Sequence, residues 1–291
     1  MVKNLLRRLY GKAYSIVGNR KLTKTFPFLM TIHCYIMNKL KPSKNVIDVD
    51  GLKMLLHREK SATSAALSVL GIVEPLTMDT IKINVKRGDI ALDLGANIGY
   101  HTLILSKLVG KTGKVFAFEP APENAALIRE NIKINNIKNV VVIEMAVSDK
   151  KQKSRLYLDY NQDSHSLYKN KNSKYIEIET TTLDDFFENY NGKINFIKMD
   201  VQGAEYKVLK GGYKTIQKNK KIKIIAEYEP VLLKAAGIDP IEFLRFIKRA
   251  NFVIYNINQA ERNLEELKED KFERFTRTLS ETENTNLFLV R

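Results

Sequence analysis

Short apolar runs and amphipathic repeats alternate along the chain from residue 88 onward. Short apolar runs are typical of buried strands, and apolar residues spaced three and four apart are typical of helices. The predicted strands are 90–94, 115–118, 140–147, 195–199, 222–227, 252–257 and 286–290, with strand-like insertions at 156–160 and 175–181. The predicted helices are 98–108, 122–135, 203–218 and 240–250. Strands that alternate with helices predict an α/β fold around a mainly parallel sheet.

A different pattern precedes this region. Residues 46–58 are typical of a hairpin around the turn pair Asp50-Gly51, and residues 61–85 predict helices with a break near Pro75. Residues 1–47 predict a basic amphipathic helix. We therefore predict two parts, an N-terminal extension over 1–87 and a second domain over 88–291.

The positive charge is concentrated at the N-terminus. Residues 1–47 contain ten Lys and Arg and no acid, out of a formal net charge of +15 for 291 residues. Such a helix can bind an anionic membrane surface, or it can pack on the main domain with its basic face in water. Nucleic acid is a weaker alternative, because no recognised nucleic-acid motif accompanies the charge.

Cysteine content and hydropathy exclude several classes of protein. One cysteine excludes an intramolecular disulfide, and no Cys/His cluster suggests a zinc module. No apolar run reaches the roughly 18 residues that a membrane span needs. We expect a cytoplasmic protein, with the inner membrane face as a peripheral site if the N-terminus binds lipid.

The loop after the first predicted strand carries the clearest chemical signal. Gly95 and Gly99 lie where a strand turns into a helix, so the backbone can approach a ligand closely. Asn97 stands where a dinucleotide fingerprint has its middle glycine, which argues against a nicotinamide enzyme. Asp93 can bind an ammonium group or merely cap the helix.

Two further strand ends extend this site. Glu119 can accept hydrogen bonds from both hydroxyls of a ribose, by the logic of dinucleotide folds, although a surface carboxylate is the simpler alternative. Ser148 and Asp149 follow the third strand and can flank an adenine edge. A nucleoside with a cationic amino-acid tail is S-adenosylmethionine, so the combination predicts a methyltransferase.

These blocks resemble the FkbM family of S-adenosylmethionine-dependent methyltransferases. The resemblance is carried by residues 93–102, 115–120, 131–136 and 197–205, within a match from about 88 to 230. It implies a Rossmann-like class I methyltransferase with a seven-stranded, mainly parallel sheet, helices on both faces and a final antiparallel strand at 286–290. It also implies methylation of hydroxyl oxygens of sugars or secondary metabolites. Gln202 departs from the usual D-V-E-G-A-E block.

Candidate site residues follow from these arguments. Asp200 ends the fourth strand and is the first candidate for the general base, with a helix cap or an ammonium ligand as alternatives. Glu205 is a weaker candidate, for which a capping or packing role is favoured, and His165 in the insertion is the other candidate base. The predicted donor-binding residues are Asp93, Gly95, Asn97, Gly99, His101, Thr102, Glu119, Pro120, Ser148, Asp149 and Asp200.

The partner and metal content remain less defined. We expect a small-molecule or glycan hydroxyl acceptor, which the sequence does not identify, and no metal, although Asp149, Asp200 and Glu227 could be considered as ligands. An RNA methyltransferase is the alternative function. It is disfavoured because the fourth strand ends in residues 199–202, Met-Asp-Val-Gln, rather than in the tetrapeptide of many base-amine methyltransferases. The oligomeric state is open.

Overall fold

The computed structural model describes residues 45–57, 61–158, 165–168, 174–279 and 284–291. The predicted basic helix and its membrane contact fall on residues 1–44, outside the described part of the chain, as does the end of the predicted strand 156–160. The division at residues 87 and 88 stays a prediction.

The predicted hairpin is confirmed as strands β1 (Val46–Val49) and β2 (Leu52–Leu55), which pair antiparallel. Asp50 and Gly51 form the turn, both with positive φ, and the Gly51 N–H donates to Asp48 Oδ1. A two-residue turn with positive φ at both positions matches the twist of the flanking strands.

The predicted helical segment is also confirmed, with its break at Pro75. Helix α1 (Ala62–Leu70) ends at Gly71, and α2 (Pro75–Asn84) begins with the proline. Proline lacks an N–H, but the first N–H of a helix has no intrahelical acceptor, so no hydrogen bond is lost there. Within the described residues no single helix is long and apolar enough to cross a membrane. A pair bent by 83°, Thr63–Leu70 with Pro75–Asn84, meets the length and composition criteria together.

One large sheet holds eight strands: β3 (Ile90–Leu94), β4 (Lys114–Phe118), β5 (Val140–Ile143), β9 (Ile194–Met199), β10 (Lys223–Tyr228), β11 (Val253–Asn258), β12 (Asn263–Glu266) and β13 (Thr285–Val290). Their order across the sheet is β12-β11-β13-β10-β9-β3-β4-β5. A three-stranded sheet contains β6 (Ala146–Val147), β7 (Gln152–Tyr157) and β8 (Tyr175–Thr181).

Five central strands of the large sheet, from β5 to β10, are parallel, and β13 pairs antiparallel with β10 as expected. The predicted seven strands are corrected to eight, because β12 adds an antiparallel edge next to β11. Every residue of β12 is exposed, including Leu264, so the segment has no alternating pattern that would have predicted a strand.

Two other predictions of element bounds were wrong. The predicted strand 140–147 divides into β5 in the large sheet and β6 in the small one. The predicted helix 203–218 divides at Gly212 into two helices.

The helices that connect the strands are α3 (Tyr100–Val109), α4 (Pro122–Ile134), α5 (Leu183–Phe186), α6 (Glu205–Gly211), α7 (Tyr213–Lys218), α8 (Pro230–Ala235), α9 (Pro240–Arg249) and α10 (Phe272–Thr278), with a 3-10 turn at Glu269–Lys271.

Apolar clusters cover both faces of the large sheet, as predicted. On one face, α2 and α3 pack through residues such as Ile81 and Leu105. On the other face, α6 and α9 contribute Val208, Phe243 and Ile247 to the largest cluster. The sheet is therefore covered on both sides, and its ligand-binding edge is left at the carboxyl ends of the parallel strands.

Helix α4 binds the hairpin through two asparagine side chains. Asn135 accepts a hydrogen bond from the Lys53 N–H and donates to the Lys53 carbonyl, and Asn131 does the same with Leu55. Four residues of helix rise about 6 Å and two residues of strand about 6.6 Å, so the two spacings match. The hairpin is thus hydrogen-bonded to the side of a helix.

Candidate active site

An open cleft lies where β3, β4 and β9 end. The strand order reverses between β3 and β9, because β4 continues on one side of β3 and β9 lies on the other. Ligands of open α/β sheets bind at such a reversal. The predicted residues that line the cleft are Gly95, Asn97, Glu119, Pro120, His165 and Asp200.

The loop after β3 is folded tightly over the end of β9. A Cβ on Gly95 would lie 1.9 Å from the carbonyl oxygen of Asp200, and Gly95 has φ +77°. The N–H groups of Gly95 and Ala96 both donate to the carbonyl of Phe118, at the end of β4. Gly99 also has positive φ and packs against Ile128, so both predicted glycines fill positions that disfavour a side chain.

Glu119 follows β4, lines the cleft and is 5% exposed. Its Oε2 accepts a hydrogen bond from the Asn97 N–H at 2.7 Å, and its Oε1 accepts from the Ala121 N–H at 2.9 Å. Burial raises the pKa of Glu119 to about 7, against the opposing effect of these N–H groups. Oε2 keeps a further lone pair for a ligand hydroxyl, which fits the predicted ribose contact.

Asn124 connects this carboxylate to the hairpin. Its Nδ2 lies 3.5 Å from Glu119 Oε1, and its Oδ1 lies 2.7 Å from Nε2 of His57. Asn124 also lines the cleft, but sequence analysis missed it. The only signal for it was its place one turn after Glu119, in the helix that begins at Pro122.

Asp93, His101 and Thr102 do not line the cleft, so their contact with the donor stays a prediction. Asp93 is 1% exposed, and Thr102 Oγ1 donates to its Oδ2 at 2.5 Å. Burial raises the pKa of Asp93 to about 6 and lowers the pKa of the buried His101 to about 3. These side chains support the loop from beneath.

Ser148 and Asp149 also lie outside the cleft lining. The Ser148 N–H donates to the carbonyl of Thr181 in the small sheet, and Gly211 packs against the Ser148 carbonyl. The cleft wall at this position is formed by Met145, Ala146 and Val147 instead. The residues that form this wall thus precede Ser148 and Asp149 in the chain and include β6, the second part of the divided strand.

Asp200 follows β9 and lines the cleft, with its side chain 36% exposed. The Nζ of Lys198, whose side chain is 1% exposed, lies 3.7 Å from Asp200 Oδ2. Burial opposes ionisation of Asp200, but the Lys198 ammonium and neighbouring hydrogen bonds outweigh it, so the pKa of Asp200 lies below its usual value. Asp200 is therefore ionised at neutral pH and can accept a proton.

Lys198 was missed by sequence analysis, although it interrupts an otherwise apolar strand. Burial disfavours its charge, but the neighbouring acidic side chains, Asp200 foremost, outweigh burial, so the pKa of Lys198 is raised. A buried ammonium surrounded by carboxylates stays charged. The lone lysine in residues 195–199 was the signal that this strand end is polar on one face.

Glu205 does not line the cleft. It is 3% exposed, and its Oε1 accepts a hydrogen bond from the Val201 N–H at 3.0 Å, just before the start of α6. Burial raises its pKa to about 7. This buried contact with the loop before α6 matches the packing alternative for Glu205, and its Oε1 bonds to a loop N–H and not to an N–H of the helix.

His165 is brought to the cleft by the insertion, together with Leu167. The segment is held at two points. Tyr157 and Ser166 exchange backbone hydrogen bonds, and Ser166 Oγ donates to the carbonyl of Gln202 at 2.9 Å. His165 and Asp200 therefore line the same cleft, as the two candidate bases were predicted to do.

Metal ligands are not grouped in the described part of the chain. No set of three or more His, Cys, Asp or Glu residues there is arranged to hold a metal ion. Asp200 and Glu227 lie close together, but Asp149 hydrogen-bonds with Ser148 at the edge of the small sheet.

Comparisons with known proteins identify the family of the chain. Residues 93–254, more than half of the chain, match the family described as the methyltransferase FkbM domain. The 2-O-methyltransferase NoeI of Sinorhizobium fredii is 32% identical over 153 residues, which cover 46% of this chain and 62% of that relative. A protein-L-isoaspartate O-methyltransferase of Ignicoccus hospitalis is 40% identical over 58 residues, 20% of this chain and 28% of that one.

These curated relatives are therefore matched over less than two thirds of their length. A solved methyltransferase FkbM from Methylobacillus flagellatus KT aligns with 14% identity and a TM-score of 0.40, over 77% of this chain and 52% of that one. By the match over residues 93–254, the chain belongs to the FkbM family of methyltransferases, which use S-adenosylmethionine as methyl donor.

Proposed function

We propose that the protein methylates a hydroxyl oxygen of a sugar, glycan, lipid-linked saccharide or secondary metabolite. The observation that carries the proposal is the ionised carboxylate of Asp200, which lines the cleft where the strand order reverses. A hydroxyl acceptor must lose its proton during or after transfer, and a carboxylate within hydrogen-bond reach assists this loss. The name of NoeI, a 2-O-methyltransferase, supports oxygen as the acceptor atom.

The cleft fits the methyl donor. The Gly95 loop leaves backbone exposed beside Asn97, and Glu119 presents a carboxylate that is already oriented by two backbone N–H groups. When bound, S-adenosylmethionine supplies an electrophilic methyl group on a sulfonium sulfur. The protein then has mainly to position the two reactants and exclude water.

Asp200 and His165 are the two residues that we propose to contact the acceptor. Asp200 takes the hydroxyl proton, because its carboxylate is ionised and reaches the cleft. His165 lies on the wall formed by the insertion, where it can hydrogen-bond to acceptor hydroxyls. The small sheet that carries this wall would then contribute to acceptor selection.

The proposal is tested in two steps with the full chain. Isothermal titration with S-adenosylhomocysteine measures donor binding in wild type, Asp200→Asn and Glu119→Gln. Incorporation of a tritiated methyl group is then measured with free saccharides, lipid-linked saccharides and RNA as separate acceptors. We expect transfer to a saccharide or a metabolite hydroxyl, at least about 100-fold slower in Asp200→Asn, with donor affinity within about threefold of wild type. Transfer to RNA alone would favour the alternative function.

We also propose a cytoplasmic location with peripheral binding at the inner membrane face. The support is the charge of residues 1–47, which contain ten basic residues and no acid. Flotation of the full chain with vesicles of 30% phosphatidylserine tests it, with a variant that replaces Arg7, Arg8 and Lys12 by Glu. A matched control replaces Lys150, Lys151 and Lys153 by Glu. Equal flotation of both variants would contradict binding through the N-terminus.

A further inference from the structure

Gln202 connects two carboxyl groups at the floor of the cleft. Its Nε2 lies 2.8 Å from Asp200 Oδ1 and 3.0 Å from Glu227 Oε2. A side-chain amide carries two hydrogens, so one nitrogen donates to both carboxyl groups at once. Gln202 has φ +51°, a conformation that L residues seldom adopt and that its surroundings must stabilise.

Both carboxyl groups accept a hydrogen bond from the same Gln202 nitrogen, so they lie close together. Two ionised carboxylates at such close range repel each other, and this repulsion favours a proton on one of them. Burial, followed by the negative charge of Asp200, raises the pKa of Glu227 well above its usual value, whereas the pKa of Asp200 is lowered. The proton therefore resides on Glu227, and the pair as a whole carries one negative charge at neutral pH.

The surroundings favour this single charge. Lys198 Nζ lies 3.7 Å from Asp200 Oδ2, and Asn284 Nδ2 donates to Glu227 Oε1 at 2.6 Å. The buried Lys198 ammonium thus stabilises the single negative charge that Asp200 and Glu227 share. The other titratable groups whose charges act on Asp200, Glu227 or Lys198 are Glu74, Asp93, His101, Glu205 and Glu229.

The two members of the pair differ in their access to the cleft. Asp200 and Gln202 line it, whereas Glu227 is 6% exposed and lies behind them. A proton that arrives from the cleft therefore meets Asp200 first. The Gln202 carbonyl also accepts the hydrogen bond from Ser166, so the same residue contacts the wall that carries His165.

We propose that Asp200 and Glu227 form one proton-accepting pair and that Gln202 is the positioning residue that holds it together. This inference rests on the proposed function, and it extends the base from one carboxylate to two. As the acceptor O–H bond breaks, its proton goes to Asp200, so the pair holds two protons instead of one. The pair returns to its resting state when Asp200 releases a proton to water in the cleft.

The identity of residue 202 follows from this role. The chain has Gln202 between the two carboxyl groups, where an amide and a carboxylate would act differently. A glutamate at that position would place a third carboxyl group between two others and could not donate two hydrogen bonds when ionised. In this protein the amide contributes donors instead of another negative charge.

Carboxyl-detected NMR of protein labelled with ¹³C at Asp Cγ and Glu Cδ tests the pair without any acceptor. The resonances are assigned with Asp200→Asn and Glu227→Gln. We expect the two carboxyls of wild type to titrate in two shared steps, each visible at both carbons. In Gln202→Glu we expect the Asp200 step to move upward by about one pH unit or more. In Glu227→Gln, Asp200 should titrate in a single step.

Glu229→Gln is the matched control, because Glu229 follows the same strand and acts on Asp200 through its charge without a hydrogen bond. It should leave the two shared steps in place. Independent single-step titrations in wild type, or the same Asp200 titration in Gln202→Glu as in wild type, would overturn the pair. Titration with S-adenosylhomocysteine in the same samples separates this result from a failure of the proposed function. If wild type does not bind S-adenosylhomocysteine, the proposed function is contradicted, whereas the titration of the two carboxyl groups can still be measured.

Discussion

The Cα of Gly95 lies against the carbonyl oxygen of Asp200, so close that a Cβ would be 1.9 Å from it. The contact joins the loop after β3 to the loop after β9 across the reversal of strand order. Backbone atoms cannot move aside as a flexible side chain can. The close approach therefore fixes the shape of the cleft floor, on which both the donor site and the carboxyl pair depend.

Gly95→Ala should reveal the strength of this contact. We expect it to lower the free energy of unfolding by at least about 2 kcal/mol and to abolish binding of S-adenosylhomocysteine, since both loops must separate. Urea denaturation and isothermal titration measure the two effects. Gly237→Ala is the control, because Gly237 has the same φ of +77° with no atom within 4 Å of the added Cβ. Equal losses of stability in both variants would mean that φ, and not the contact, determines the cost.

Donor binding should depend on the ionisation of Glu119. The pKa of this carboxyl is raised to about 7, so it is largely protonated below pH 6 and ionised above pH 8. Ionisation makes both oxygens strong, charge-assisted acceptors, whereas protonation turns one of them into a donor. We expect the affinity for S-adenosylhomocysteine to rise between pH 6 and 8, and Glu119→Gln to weaken it by about 10-fold or more and to remove this rise. An unchanged pH profile in Glu119→Gln would argue against the assignment, and the exposed Glu123→Gln serves as control.

Glu205 should behave as a buried structural side chain and not as a base. The unfolded chain releases the Glu205 proton near pH 4.5 and the folded protein near pH 7, so the contribution of Glu205 to the free energy of unfolding falls as pH rises between these values. Glu205→Gln should remove up to about 3 kcal/mol of this pH-dependent fall, and Glu205→Ala should cost about 1 kcal/mol through loss of the hydrogen bond from Val201. Chemical denaturation at pH 5 and pH 8 measures the free energy of unfolding of each variant. If Glu205→Gln lost methyl transfer while it kept its fold and donor affinity, the structural assignment would be wrong.

Thr102→Val should destabilise the protein without removing a group from the cleft. The substitution keeps the side-chain shape but deletes the hydroxyl that donates to the buried Asp93. We expect a loss of about 1 to 3 kcal/mol at pH 8, where Asp93 is ionised, and a smaller loss at pH 5. Thermal unfolding at the two pH values measures the difference. A loss of donor binding larger than that of Glu119→Gln would show that Asp93 and Thr102 act on the ligand more directly than the structure indicates.

Sequence patterns predicted the central strands, the hairpin and the helix break at Pro75, because each depends on local apolar spacing or turn chemistry. They failed at β12, where an exposed edge strand carries no alternation. They also merged β5 with β6, since a continuous apolar run does not show that its second half has changed sheets.

The site residues likewise divide into those with a local sequence signature and those whose role depends on the fold. Gly95 and Glu119 were predicted because strand ends and tight turns have sequence signatures. Lys198, Gln202 and Asn124 were missed as members of the site, because their roles depend on which side chains the fold places opposite them. Sequence spacing left two roles open for Asp93, because it does not show whether the side chain faces the cleft or the interior of the protein, where Thr102 donates to it.

The pairing of Asn131 and Asn135 with strand β2 has a consequence for how the chain folds. A slip of β2 by one residue would turn the buried Met54 toward water and move both asparagines opposite the wrong backbone groups. Helix α4 thus acts as a template for the register of the hairpin. Two independent devices therefore fix one register, the turn at Asp50-Gly51 within the hairpin and the asparagine side chains outside it.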